Sequence, residues 1–251
     1  MITCKSCADR LPNATKALRI ISNDFQLVTP WDADSIDPQD FMDSINHESN
    51  WEKALQVLKT ILVANTLTAQ TPDYGQALKL ADNILSTSPN LSWMHHRPLA
   101  NGEISVLLKH YYALSSISVS SSSWGLIAED DITSKDDTFD IFNKCIDEFL
   151  NADADYLDLA GGCGLSPDIY DCGVHTQPVI PPRTRTNACY VVSNRLAKYL
   201  VESFWPLIFP IDWHLQFLLL SGSHWKCRWA VDPPYLHGSE HGQYQSWRNN
   251  V

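Results

Sequence analysis

Short apolar segments that alternate with amphipathic ones are the feature that most constrains the fold of this chain. The segments at 124–128, 155–160 and 188–193 are strand candidates, and "WGLIA" at 124–128 is apolar enough for a parallel strand buried on both faces. Helical periodicity follows at 140–150 and 194–204. The alternation predicts an α/β fold: a Rossmann-like, mainly parallel sheet with helices on both faces.

Further segments extend this pattern towards both ends of the chain. Residues 1–4, 25–31 and 225–231 are strand candidates, and a turn entering a helix is expected over 9–22. Further helices are expected near 51–62, 76–85, 102–112 and 213–220. The Gly- and Pro-rich stretch 161–185 is expected to be an ordered but irregular loop. No linker divides the chain, so a single domain over 1–251 is expected.

The charge balance restricts the ligands that this chain can bind. Lys and Arg number 18 against 29 Asp and Glu, which gives a net charge of -11 and a pI near 5.1. A surface of that sign disfavours nucleic acid, and an anionic ligand would need a metal ion to supply positive charge. The most apolar stretch, 204–220, is interrupted by prolines and polar residues. With no apolar core of a signal peptide at the start, a cytoplasmic location is expected, and peripheral membrane association stays open.

The seven cysteines are scattered, which is typical of reduced thiols rather than of a disulfide framework. Cys4 and Cys7 form a lone CxxC pair. Because no second pair follows at the spacing of a zinc site, the sequence disfavours a metal there.

An acidic triplet follows the apolar segment 124–128. Glu129, Asp130 and Asp131 repel one another unless a cation or solvent compensates their charges. In an open α/β sheet, ligands bind where loops leave the carboxyl ends of the strands, and carboxylates suit Mg²⁺ or Mn²⁺. In an extended segment, alternation would place Glu129 and Asp131 on one side and Asp130 on the other. The alternative is a solvated turn.

The segment "NGEISVLLKHYYAL…WGLIAEDDI" resembles the core signature of glycosyltransferase family 25, the lipooligosaccharide and collagen galactosyltransferase group. Its members show Gly-Glu-Ile, a later His and an apolar strand ending in Glu-Asp-Asp. The similarity continues in "ITCKSCADR" at the start, "YVVSNRLAKYL" at 190–200 and "PID" at 210–212. The chain departs from the family at Ser105, Val106 and Lys109, where the family has Gly, Cys and Ser. It also lacks one customary Arg in the opening strand.

The resemblance implies a fold of the GT-A type and a metal-dependent inverting transfer of a hexose, with galactose expected. The donor would be a UDP-sugar, the cofactor Mn²⁺ or Mg²⁺, and the acceptor a hydroxyl of a lipooligosaccharide or surface polysaccharide. Metal ligands would be Asp131, with Glu129 and His237, and His241 as a weaker choice than His237. The expected donor contacts are Arg10, Glu103, His110, Glu129 and Asp130, although Arg10 also suits a surface salt bridge and Glu103 a structural hydrogen bond.

An inverting transfer needs a carboxylate base near the acceptor hydroxyl. Asp212 is the first choice because its neighbours are apolar and aromatic, with a helix N-cap as the alternative. Asp158 is the second choice and Glu240 the third. Trp213, Trp225 and Trp247 are candidates for stacking on a sugar.

Two other classes of function compete with the transferase. A metal-dependent phosphoester hydrolase would use the same acids but needs more ligands at close spacing than the sequence offers. A degenerate transferase fold, kept as a carbohydrate-binding or scaffold subunit, would be marked by a broken acidic triplet, and here the triplet is intact.

Overall fold

A computed structural model describes residues 1–37, 59, 75–76, 78–79, 82–83, 99–167, 174–180, 182–207, 209–222 and 224–244. Trp247 lies outside these residues, as do most of the helix expected at 51–62 and most of the one expected at 76–85. Within them, no helix is both long enough and apolar enough to cross a membrane.

The described chain forms five α-helices, and local sequence explains how three of them begin. Pro12 stands in the first turn of the first helix, and the hydroxyl of Ser193 accepts the N–H of Leu196 as the predicted N-cap of the fourth. The Glu103 carboxylate accepts the N–H of Ala100, 2.9 Å away, at the start of the second. The helices are α1 (Leu11–Arg19), α2 (Asn101–Ser118), α3 (Thr138–Asn151), α4 (Asn194–Ser203) and α5 (Ile211–Gly222).

The strands form a five-stranded sheet and a separate two-stranded one. In chain order they are β1 (Trp124–Ala128), β2 (Ile132–Ser134), β3 (Tyr156–Asp158), β4 (Thr176–Val179), β5 (Cys189–Ser193), β6 (Cys227–Ala230) and β7 (Tyr235–His237). The larger sheet has the order β1-β5-β3-β6-β4, and β2 pairs with β7. Strand β4 lies inside the stretch that was expected to be irregular.

The expectation of a mainly parallel sheet needs correction. Only the pair β3–β6 is parallel, because β5 runs antiparallel to both β1 and β3, and β4 runs antiparallel to β6. Strands β1, β3 and β6 nevertheless share one direction. Outside the named strands, Ile2 forms parallel bridges to Val28 and Glu129, so the expected opening strands are reduced to single bridges beside β1. The fold is mixed α/β with a mostly antiparallel sheet.

Helices cover both faces of the five-stranded sheet, as expected. Alternate residues of β5 enter different apolar clusters: Tyr190 and Val192 pack with α2, α4 and α5, whereas Cys189 and Val191 pack with α1 and α3. The end of β1 therefore lies between two helical layers, and the acidic triplet leaves the sheet at that point.

Candidate functional site

The acidic triplet lies at the carboxyl end of β1 and borders a cavity of about 250 Å³. The N–H of Glu129 donates to the carbonyl oxygen of Ala188 at 2.8 Å, which fixes the start of the triplet against the segment before β5. We call this space the acidic cavity, because five carboxylates and two basic side chains line it. Its charged lining residues are Arg10, Asp32, Asp34, Lys109, Glu129, Asp130 and Asp131.

The three carboxylates of the triplet have three different sets of partners. Glu129 contacts His110, Asp130 contacts the N-terminal segment, and Asp131 contacts His237. The simple alternation expected for an extended strand does not describe them, because the chain turns after Glu129 and enters β2 at Ile132.

Glu129 is in contact with His110 of helix α2. Its Oε1 lies 3.2 Å from Nε2 of His110, whose Nδ1 lies 2.9 Å from the hydroxyl of Tyr190. His110 is completely buried, and burial lowers its pKa to about 3. A neutral ring satisfies both contacts if Nε2–H donates to Glu129 and Nδ1 accepts from Tyr190.

Asp131 is brought to His237 by the small sheet. Pairing of β2 with β7 places Ile132 opposite His237, and the N–H of Gly238 donates to the Asp131 carbonyl at 2.7 Å. Asp131 Oδ2 then lies 3.0 Å from His237 Nε2 and accepts from the Ser239 hydroxyl at 2.6 Å. Asp131 and His237, which the family resemblance implied as metal ligands, are therefore in contact although they are 106 positions apart in the sequence.

Each member of this pair has one buried polar atom that forms no hydrogen bond with the described residues. Asp131 Oδ1 and His237 Nδ1 are buried atoms without a hydrogen-bond partner within the described part of the chain. Burial favours a higher pKa for Asp131, but the hydrogen bond and charge of His237 and the Ser239 hydrogen bond hold it below its ordinary value. Burial likewise favours a lower pKa for His237, but Asp131, with the charges of Glu129 and Glu240, raises it to about 9. The pair is ionic near neutral pH.

Asp130 faces the N-terminal segment. Its Oδ2 accepts the N–H of Cys4 at 3.2 Å, and its Oδ1 lies 3.9 Å from a guanidinium nitrogen of Arg10. Burial raises the pKa of Asp130 to about 6, and the charges of Glu129 and Asp131 contribute to the rise. Arg10 also lies over the ring of Tyr244, with 5.2 Å from its central carbon to the ring centroid.

Asp212, the first candidate for a base, lies in the first turn of α5 rather than at its N-cap, and it is half-buried. Its Oδ1 accepts from Nδ2 of Asn187 at 3.3 Å, and Asn187 Oδ1 accepts from the hydroxyl of Tyr156 at 2.7 Å. The ring of Tyr156 stacks on Tyr190, whose hydroxyl contacts His110, with the ring centroids 5.4 Å apart. Asp212 therefore lies on the His110 side of the triplet.

The other two carboxylates proposed as bases are committed to structural contacts. Asp158 is fully buried, and its Oδ1 accepts from two nitrogens of Arg185 and from the backbone N–H groups of Ala160 and Gly161. Glu240 accepts the N–H of Cys163 with both oxygens, at 2.8 and 3.1 Å. Burial keeps Asp158 away from an acceptor in solvent, so its geometry favours a structural role.

The remaining candidates have varied positions. Glu103 accepts the Ala100 N–H described above, which matches the structural alternative. His241 is exposed, whereas Trp213 and Trp225 are half-buried. Trp225 packs against Tyr199 with ring centroids 5.0 Å apart, so one of its faces is occupied by protein.

Sequence reasoning missed a buried ion pair at the edge of the cavity. Lys109 Nζ lies 2.8 Å from Asp32 Oδ1 and donates to the Thr3 carbonyl at 2.7 Å. Nothing in the sequence around Lys109 predicted that this residue would be buried, although a lysine that is buried requires a partner. Sequence reasoning also missed Asn187, which has a left-handed backbone (φ 54°) and contacts Asp212.

No protein-family model matches this chain, and no curated protein is similar enough to count as a relative. The resemblance to glycosyltransferase family 25 therefore stays a prediction based on the ordered motifs.

Proposed function

We propose that this protein is a metal-dependent inverting glycosyltransferase of the GT-A type that moves a hexose, with galactose expected, from a UDP-sugar to a glycan hydroxyl. The observation that carries the proposal is the contact between Asp131 and His237. The family resemblance assigned both residues to the metal, and they are neighbours although most of the second half of the chain separates them.

The position of the triplet supports this proposal. In sheets of α/β proteins, ligands bind beyond the carboxyl ends of the strands. Strands β1, β3 and β6 point the same way, and Ile2 runs parallel to the end of β1. The acids thus lie at the edge where such a ligand would bind, beside the acidic cavity.

The donor set at Asp131 suits a divalent ion. A carboxylate with an unpartnered buried oxygen and an imidazole are ligands that Mn²⁺ accepts, and Glu129 is near enough for its charge to raise the His237 pKa. Asp131 and His237 would hold the ion, with Glu129 contributing if its contact with His110 is exchanged. When bound, the ion supplies Lewis-acid stabilisation of the leaving diphosphate.

The protein's own groups would perform two further tasks. Arg10 borders the cavity with a guanidinium group that can pair with a phosphate oxygen. Asp212 would accept the proton of the acceptor hydroxyl, and Asn187 would orient its carboxylate by the 3.3 Å hydrogen bond.

Nucleotide release from a panel of UDP-sugars, with Mn²⁺ or with a chelator, tests the proposal. We expect nucleotide release to require the metal and to fall at least about a hundredfold in Asp131→Asn. This is the rate loss typical of removing one group that stabilises charge in the transition state. Release should fall in the same direction in His237→Gln, while His224→Gln is the control because that histidine is exposed and was not a candidate ligand.

Metal-independent release, or equal rates in Asp131→Asn and wild type, would contradict the proposal. Donor binding without turnover, at a level unaffected by Asp131→Asn, would instead favour the degenerate carbohydrate-binding subunit. Release of inorganic phosphate from simple phosphoesters would favour the hydrolase.

A further inference from the structure

We propose that Cys4, Cys7 and Asp130 bind a soft divalent metal ion of the zinc class, at a site separate from the Asp131–His237 pair. One ligand atom from each of the three residues lies within 4.8 Å of the other two. This inference goes beyond the proposed function, because it concerns a different ion and a different set of ligands.

The local backbone brings the two thiols together. Lys5–Cys7 is a 3₁₀ turn that begins directly after Cys4, and the N–H of Cys7 donates to the Cys4 carbonyl at 3.1 Å. A CxxC pair on such a turn is a common half of a zinc site. The sequence disfavoured a metal here because no second pair follows, but the third ligand comes from the acidic triplet.

Asp130 is fixed beside the thiols by contacts of its own. Its Oδ2 accepts the Cys4 N–H at 3.2 Å, and only 10% of its side chain is exposed. Cys4, Cys7 and Asp130 all belong to the residues that line the acidic cavity. These three groups would hold the metal beside the cavity, from which water or a ligand atom would complete its coordination.

The chemistry of the donors selects the ion. Thiolates are soft ligands that favour Zn²⁺ or Co²⁺ over Mg²⁺ and Mn²⁺, which prefer oxygen. Two thiolates and one carboxylate bring three negative charges to a doubly charged ion, and the Arg10 guanidinium lies 3.9 Å from Asp130 to offset the excess. A tetrahedral site with Zn–S distances near 2.3 Å needs sulfurs about 3.8 Å apart. Because the ligand atoms lie within 4.8 Å of one another, the sulfurs need to approach by about 1 Å at most, which side-chain rotation supplies.

Cobalt substitution tests the site on the full-length, reduced protein. Co²⁺ should give a thiolate-to-cobalt charge-transfer band that one equivalent of Zn²⁺ removes. The band should disappear in Cys4→Ser and in Cys7→Ser, and persist in Cys163→Ser, the matched control at an exposed cysteine. Asp130→Asn should keep the band but weaken Co²⁺ binding by at least roughly ten- to hundredfold. Removing a residue that only supports a metal ligand already has an effect of this size on metal affinity.

A second measurement uses only the wild-type protein, in case a variant does not fold. Zn²⁺ should protect two thiols from a thiol-specific reagent, and a chelator should restore their reactivity. The proposal is overturned if wild type shows no charge-transfer band, or if the band survives both serine variants. It is also overturned if the two thiols become reactive only after reductant, which would indicate a Cys4–Cys7 disulfide.

Discussion

Glu129 and Asp131 stand two residues apart, and each contacts a histidine at hydrogen-bond distance: 3.2 Å to His110 and 3.0 Å to His237. The charges of the two histidines differ. His110 is fully buried and its pKa falls to about 3, whereas His237 is partly exposed and its pKa rises to about 9. In the first contact a neutral imidazole donates a hydrogen bond to Glu129, and the second contact is an ion pair.

The difference shows how one acidic loop can serve two purposes. His110 also contacts Tyr190, so its ring links helix α2, strand β5 and the triplet. His237 occupies the end of a three-residue strand and neutralises Asp131 with a proton, which a divalent ion can replace. We expect changes at the His110 pair to act mainly on folding, and changes at the His237 pair mainly on pH dependence and metal binding.

The largest effect on stability is expected for His110→Leu, about 3–5 kcal/mol at pH 7. The variant leaves the buried Tyr190 hydroxyl and the Glu129 carboxylate without this partner, and each loss costs about 1–3 kcal/mol before repacking. The free energy of unfolding from urea denaturation, followed by circular dichroism, measures the effect.

The pH dependence of the same variant sharpens this prediction. The folded pKa of His110 is about 3 and its ordinary value is 6.5, so the unfolded chain takes up the proton first as the pH falls. Wild type therefore loses His110-dependent stability below about pH 6.5, and the gap to His110→Leu should narrow towards pH 4. A gap that widens on acidification would show that His110 is charged.

The next largest effect on stability is expected at His237, and it depends on pH in the alkaline range. Its folded pKa of about 9 lies above the ordinary 6.5, so its stabilisation is complete below pH 6.5 and lost as the pH rises to about 9. In chelator, the difference between wild type and His237→Gln should shrink over that interval, by about 3 kcal/mol at most. His241→Gln, at an exposed histidine, is the control; parallel alkaline profiles for wild type and His237→Gln would refute the ion pair.

Tyr190→Phe should lower the free energy of unfolding by about 1–3 kcal/mol, because His110 Nδ1 then lacks a partner in a fully buried position. Tyr112→Phe provides the comparison, since its hydroxyl meets Gln26 in an exposed contact of 3.4 Å and should change stability by less than about 0.5 kcal/mol. Equal losses in the two variants would mean that the His110–Tyr190 contact contributes nothing specific.

Ser239→Ala should have the smallest effect, about 1 kcal/mol, because Asp131 Oδ2 keeps its contact with His237 when the hydroxyl is removed. Thermal unfolding of the variant beside Tyr190→Phe measures it. A loss of stability larger than that of Tyr190→Phe would show that the contacts of Asp131, rather than those of Glu129, contribute more to folding.

The sequence was informative where local periodicity decides the structure. The periodic apolar positions of α2, α3 and α4 and the apolar runs of β1, β3 and β5 predicted those elements, and Ser193 was recognised as a cap. Strand direction was not predictable in this way, because an apolar run buried on both faces looks the same in parallel and antiparallel pairing. The position of β5 between β1 and β3 is decided by tertiary packing and not by local sequence.

The site was predicted in part for the same reason. The family resemblance implied Asp131 and His237 as metal ligands, but their contact depends on the pairing of β2 with β7. These two strands have three residues each and are too short to recognise from sequence. Asp158 has the residue type and the sequence setting expected of a catalytic base, and it is the contact with Arg185 that favours a structural role. The Cys4–Cys7 pair lacked a visible third ligand because Asp130 is distant in sequence.

An anomalous difference map from crystals soaked in Mn²⁺ and UDP tests the metal site most directly. The account predicts a manganese peak within coordination distance of Asp131 and His237, with the UDP diphosphate bound to it. UDP bound without a peak at Asp131, or a manganese peak only at Cys4, Cys7 and Asp130, would contradict it.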